Sequence, residues 1–243
     1  EKVDFSGLLF TTEYLPNRSL ENLTKDYIQN NGVSPLLNPT VRSKILFGVS
    51  ATMKRFHPTL FCHFDLKLDN VFLDENLEPK IGNFVLNTIH REVANSSFDL
   101  PPHFLIFQPP EIIHQEECTE KVDVYSFAFF IYQMFTGKIE FDVSEENMKM
   151  GSLFKIRKQI EQGWRPKQSE AIPANYWHLI EKCWQQDPND RPSFKEITQL
   201  LRSDDYAIEE FGQKTDLNAL HEYWDRIDPA DDGIPVNDEN MDN

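Results

Sequence analysis

The chain has 243 residues, 40% of them apolar, and a formal net charge of −16, enough material for one large domain or two small ones around a real core. That charge argues against binding to nucleic-acid phosphates or anionic lipid, which need clustered Lys and Arg, and much of it lies between Ser203 and Asn243, where thirteen Asp and Glu face only Lys214 and Arg226. Cys62, Cys118 and Cys183 have spacings that suit neither a disulfide framework nor a zinc site, so reduced thiols in a cytoplasmic protein are expected.

No signal-peptide pattern opens the chain, and its longest apolar stretch, Val124 to Phe135, is interrupted by Ser126 and Gln133 and is too short to span a bilayer. The first residue is Glu1 rather than a methionine, so a fragment of something longer is expected. Leu8, Leu9, Phe10, Thr11 and Thr12 suit a strand, and Glu13 to Asn17 turn the chain away. Ser19 is placed to cap a helix through Leu20, Leu23, Tyr27 and Ile28. From Thr40 to His57 apolar residues recur at helical spacing (Val41, Ile45, Leu46, Val49, Met53, Phe56), which predicts an amphipathic helix with Arg42, Lys44 and Lys54 facing water, ended by Pro58.

Next comes the densest group of chemistry-bearing residues, His63-Phe64-Asp65-Leu66-Lys67-Leu68-Asp69-Asn70, running into apolar Val71, Phe72 and Leu73. A carboxylate can accept a hydroxyl proton, an ammonium can balance charge on a transferring phosphate and an amide oxygen can face a metal ion. The same residues also suit a polar turn whose Asp65 and Asn70 bond local amides. Asp74, Glu75 and Asn76 form a turn, so Val71 to Leu73 and Pro79 to Ile81 read as a small hairpin. Gly82-Asn83-Phe84-Val85-Leu86 follows, then a long segment to Gln108 that closes at Pro109-Pro110-Glu111. The stretch from Asp123 to Gly137 is an apolar run behind an aspartate, which is costly there unless bonded. Cys183-Trp184 and Asp187-Pro188-Asn189-Asp190-Arg191-Pro192-Ser193-Phe194 precede a last domain helix from Glu196 to Leu201. Leu217, Leu220, Tyr223 and Trp224 suit one docking amphipathic turn, while Asp228 to Asn243 reads as solvating and disordered.

Taken in order, these motifs resemble the protein kinase superfamily, and the Cys183 to Phe194 signature resembles its tyrosine-kinase-like branch of Ser/Thr kinases. His63-Phe64-Asp65 and Asn70 resemble the catalytic loop, Asn83-Phe84-Val85 stands where the family has Asp-Phe-Gly, and Pro109-Pro110-Glu111 resembles Ala-Pro-Glu. The resemblance implies an α+β, protein-kinase-like fold. It would be a mainly helical C-terminal lobe with a short β hairpin at the catalytic loop and with Asp123 to Gly137 as its central buried helix, and the N-terminal lobe is expected to be absent. Residues 1–18 would form the last small-lobe strand and hinge, 19–202 the large lobe and 203–243 an acidic, partly disordered tail.

By the same resemblance the cofactors are ATP and Mg. Asp65 is the base, Lys67 the phosphate partner and Asn70 a catalytic and metal-facing residue, with Asn83 a weak second metal position. Thr12, Glu13, Leu15 and Phe72 would contact the nucleotide, and His63, Phe84, Glu111, Asp123 and Arg191 are structural, Arg191 pairing with Glu111. The partner is a protein substrate or binding protein, in a signalling role. Asn83, Val85, Phe64 and His103-Phe104 depart from the family pattern: a charged metal ligand, a flexible glycine, a phosphate-clamping arginine and a Gly-Thr pair are replaced. A pseudokinase is therefore expected in preference to an active Ser/Thr kinase. With Phe64 in the arginine's place, phosphorylation at Thr88, Ser96 or Ser97 is not expected to order the segment that follows.

Overall fold

A computed structural model describes residues 13–59, 62–83, 107–114, 116, 118–139 and 157–229. The expected strand over 8–12 with Thr12, the residues Phe84, Val85, Thr88, Ser96, Ser97, His103 and Phe104, and positions 230–243 lie outside them. Seven helices are named here: α1 (Leu20–Gln29), α2 (Pro39–Phe56), α3 (Pro110–His114), α4 (Lys121–Thr136), α5 (Ala174–Cys183), α6 (Phe194–Leu201) and α7 (Leu217–Ile227). Two antiparallel hairpins accompany them, β1 (Val71–Leu73) with β2 (Pro79–Ile81) and β3 (Glu209–Glu210) with β4 (Gln213–Lys214). The mainly helical fold with a short hairpin after the catalytic-loop motif is the one the sequence predicts. No helix among the described residues is long and apolar enough to cross a membrane.

Helix α2 starts where Asn38 accepts a hydrogen bond from the Val41 amide (3.0 Å) and Pro39 supplies a first-turn residue that needs no donor. It is not the one-sided helix that its periodicity suggests. Helix α6 packs along it, α7 crosses it and β2 lies against it, so Val41 through Ala51 is buried apart from Lys44. Gly48 is required by this crowding, since a methyl group there would collide with the Tyr223 hydroxyl and Pro79.

The expectation that Arg42 faces water is therefore wrong. Its side chain is fully buried, with the guanidinium 4.8 Å from the Tyr27 ring centroid and 5.4 Å from that of Phe135, and it donates to the Met134 carbonyl. Glu210 of β3 approaches Arg42 Nη1 at 2.8 Å as an ion contact rather than an aligned hydrogen bond. The periodicity of α2 could not register this partner, which lies 168 residues away in the acidic segment.

Helix α4 is apolar nearly all round because α1 covers one side and α5 another. It stops at Gly137, whose φ of 72° lets its amide reach back to the Gln133 carbonyl at 2.8 Å. Helix α6 opens with a reciprocal capping box between Ser193 and Glu196. Ser19 sits at the N-cap position of α1 but does not cap the backbone, and its hydroxyl accepts instead from the Asn22 side chain (3.3 Å).

Beyond α6, where the sequence suggests one docking amphipathic turn over Leu217 to Trp224, the structure has a helix of eleven residues, α7. It is capped by Asp216 and buries Leu220, Tyr223 and Trp224 against α2. Three such side chains contribute about 1.5–3 kcal/mol each by removal from water.

Candidate active site

The loop from His63 to Asn70 is held from below by the first turn of α4. Asp123 is fully buried, and its carboxylate accepts the His63 amide (2.7 Å), the Phe64 amide (2.7 Å) and a contact from His57 Nε2 (3.2 Å). Phe64 has a φ of 63°, a left-handed conformation that costs a non-glycine residue about 1–3 kcal/mol. The charge-assisted bond to Asp123 and a bond from Gln108 Nε2 to the Phe64 carbonyl (3.0 Å) offset that strain.

His63 is buried, with Nε2 2.8 Å from the Gly82 carbonyl and Nδ1 accepting the Asp65 amide at 3.2 Å. A carbonyl can only accept and an amide can only donate, so the ring is neutral with its proton on Nε2. Burial pushes its pKa below 6.5, against the pull of Asp123. The histidine thus ties the loop to the end of β2 and at the same time orients Asp65.

Asp65, Lys67, Asn70 and Asn83 form one polar chain. Asp65 Oδ2 accepts from Asn70 Nδ2 (2.7 Å) and from Lys67 Nζ (3.0 Å), and Asn70 Nδ2 also donates to the Asp65 carbonyl (2.7 Å). The carboxylate fixes which way the Asn70 amide faces: its nitrogen must point at Asp65, so its oxygen points outward. That oxygen, Oδ1, accepts from Asn83 Nδ2 at 2.7 Å. Asp65 Oδ1 is buried and has no hydrogen-bond partner among the described residues. Burial raises the Asp65 pKa, with Lys67 and Asn70 opposing.

Asn70 is gripped at its backbone as well, its amide donating to the Lys67 carbonyl (3.1 Å) and its carbonyl accepting the Gly82 amide (2.8 Å). The strands behind it pair Val71 with Ile81 and Leu73 with Pro79, and Asp74 closes their turn by accepting the amides of Asn76 and Glu78.

Deeper support comes from Arg191 and Glu111, which meet as a buried bidentate pair at 2.6 and 2.9 Å. Arg191 spends its remaining donors on the carbonyls of Gln185, Gln186 and Lys121. On the other flank, the Ser19 backbone bridges to Phe72, and Asn17 donates to the carbonyls of Leu73 and Asp74. Half-buried Leu15 and Phe72 therefore border one edge, Glu13 beside them is exposed, and Thr12 and Phe84 are outside the described residues. His57, Gln108 and Gly82 belong to this framework without having a motif position of their own. Only the histidine's placement at the end of a helix, just before the loop, could have drawn notice.

The resemblance to protein kinases implies magnesium, which favours charged oxygens and near-octahedral geometry. The residues present do not fit it. Asn70 Oδ1 is capped by an amide, Asn83 offers a neutral side chain with its nitrogen turned inward, and Asp65 Oδ2 already accepts two donors. Among the described residues no group of three or more His, Cys, Asp or Glu is arranged to hold a metal ion.

Residues 3–201 match the family model described as the protein kinase domain. A probable serine/threonine-protein kinase of Dictyostelium discoideum is 31% identical over 195 residues, covering 80% of this chain and 20% of that protein. The dual specificity protein kinase pyk3 of the same organism is 33% identical over 192 residues, 79% of this chain and 13% of that protein. The serine/threonine-protein kinase STY17 of Arabidopsis thaliana is 28% identical over 158 residues, 65% of this chain and 26% of that protein. The chain thus spans about a quarter or less of the length of these relatives.

Proposed function

The chain belongs to the protein kinase family, and from that premise we propose that it is the hinge and large lobe of a Ser/Thr kinase-like domain, tyrosine-kinase-like in branch, whose phosphotransfer is weak or absent. Residues 19–202 are the lobe proper, 1–18 the hinge side, and the acidic segment from 203 onward is a fastened extension through Ile227. The domain acts on or binds other proteins as a scaffold or allosteric module in cytoplasmic signalling. ATP would lie along Thr12, Glu13, Leu15 and Phe72, with its phosphates toward Lys67.

One observation carries the reading of impaired transfer: the amide of Asn83 caps Asn70 where the family places a charged metal ligand. Asp65 remains equipped as a base, buried and with one carboxylate oxygen unoccupied by any described donor, and Asp-Leu-Lys at 65–67 favours serine or threonine as the acceptor. What fails is neutralisation of the phosphate charge that builds on transfer, to which, in the loop from His63 to Asn70, only Lys67 contributes a cation.

That unoccupied oxygen also favours a second reading, an active Ser/Thr kinase when a glycine-rich upstream lobe accompanies this segment. The two separate in a phosphotransfer assay on the full-length protein with Ser, Thr and Tyr peptides and Mg or Mn. The expected result is no transfer by the parent and a gain in Asn83→Asp. Transfer by the parent that Asp65→Ala abolishes would establish the active kinase instead.

A further inference from the structure

We infer that Asn83 is a built-in substitute for the divalent cation. Its amide holds the catalytic loop to the end of β2, and the loop is as well ordered without Mg²⁺ or Mn²⁺ as with them. The inference rests on the proposed reading in taking Asn70 and Asn83 for the family's two metal positions. Its content is nevertheless separate, because it concerns what keeps this loop in place rather than whether phosphate moves.

The argument runs along the bonds. Asp65 can only accept, so Asn70 presents its nitrogen inward and its oxygen outward. An outward oxygen needs something positive in front of it. A metal ion is one solution, and the partial positive charge of an amide N–H is another. Asn83 supplies the second at 2.7 Å.

Its backbone suits the task, since φ is 66° and asparagine is among the few residues that adopt the left-handed region with little strain. The side-chain bond runs parallel to the backbone bond from the Gly82 amide to the Asn70 carbonyl (2.8 Å), and His63 Nε2 donates to the Gly82 carbonyl (2.8 Å). Three bonds therefore join loop to strand across two consecutive residues, 82 and 83, without a cation. An aspartate at position 83 would set an anionic oxygen against Asn70 Oδ1, an arrangement that holds only with a cation between them.

Amide hydrogen exchange of the whole chain tests this, read at Gly82 and across 70–83, with chelator or with Mn²⁺ in excess. The parent is expected to show the same protection in both conditions. Asn83→Asp is expected to lose about tenfold or more in chelator, and Asn83→Ala, which removes the cap without adding charge, to lose part of that. Protection of the parent that rises with Mn²⁺ would overturn the inference. So would full protection in Asn83→Ala, since the loss in Asn83→Asp would then be charge repulsion alone. The phosphotransfer reading fails on a different result, transfer by the parent, which leaves the exchange pattern untouched.

Discussion

Two carboxylates in the same neighbourhood, Asp123 beneath the catalytic loop and Asp65 within it, have opposite surroundings. Asp123 takes two amides and a histidine nitrogen and has no exposed surface. Asp65 is almost as buried, yet one of its oxygens meets no donor among the described residues. A carboxylate whose acceptor sites are filled by its own chain holds the backbone in one shape. A carboxylate with a vacant acceptor site is costly in the resting protein and useful once a hydroxyl arrives. The same division runs through the lobe: the frame of Asp123, Arg191, Glu111 and His63 is saturated, and the outward oxygen of Asn70 is closed off by the side chain of Asn83.

The largest expected effect tests the frame. Glu111→Ala strands the Arg191 guanidinium in the core and should cost about 3–5 kcal/mol in urea unfolding. A loss under about 1 kcal/mol would show that the frame is less saturated than its geometry implies. Next is Glu210→Ala, which leaves Arg42 with its aromatic faces and one carbonyl; about 2–3 kcal/mol is expected, and Arg42→Met should recover part of it by removing the buried charge altogether.

A third effect depends on pH. Because burial holds the His63 pKa below 6.5, the folded state takes up fewer protons than the unfolded chain. The contribution of the neutral ring is complete above pH 6.5 and declines as the pH falls below it toward the folded-state value. His63→Asn should flatten that limb of the stability profile. Asp69 works the other way, its pKa pushed up to about 6 by burial and by the hydrogen bond it shares with Glu21, so its preference is for acid. Asp69→Asn should therefore steepen the net loss on acidification. The smallest expected effect on stability is Asn83→Asp, about 1–2 kcal/mol in chelator, the free-energy equivalent of its roughly tenfold loss of loop protection.

The parts of the fold that could be read in the sequence are those where local pattern and tertiary context agree. The hairpin of 71–73 with 79–81 follows from two short apolar runs around Asp74 to Asn76, and α4 follows from the likeness of Asp123 to Gly137 to the family's central buried helix. The meeting of Glu111 with Arg191 came into view through two motif positions eighty residues apart, since neither residue has a local reason to be buried. What escaped is context that periodicity does not encode. Arg42 reads as a solvent-facing cation until a hairpin from residues 209–214 lies over it, and the capping box of Ser193 with Glu196 starts α6 at Phe194, two residues before the Glu196 expected. The spacing of Asp65, Lys67, Asn70 and Asn83 was visible in the sequence. The direction in which each amide faces was not, because it follows from Asp65 being able only to accept.

The Arg42–Glu210 contact also orders events in time. A ribosome releases α2 long before it makes residue 210, so the helix that leads into the catalytic loop emerges with a guanidinium it cannot yet bury beside a counter-charge. Closing so distant a contact carries a loop-entropy cost that only the finished chain recovers, through α7 settling on α2. The lobe therefore completes its core last at the segment beyond Leu201, where the match to the family has already ended. A chain interrupted there would keep the catalytic-loop motif, Pro109-Pro110-Glu111 and Arg191 and still display an unburied arginine helix to the quality-control machinery of the cell.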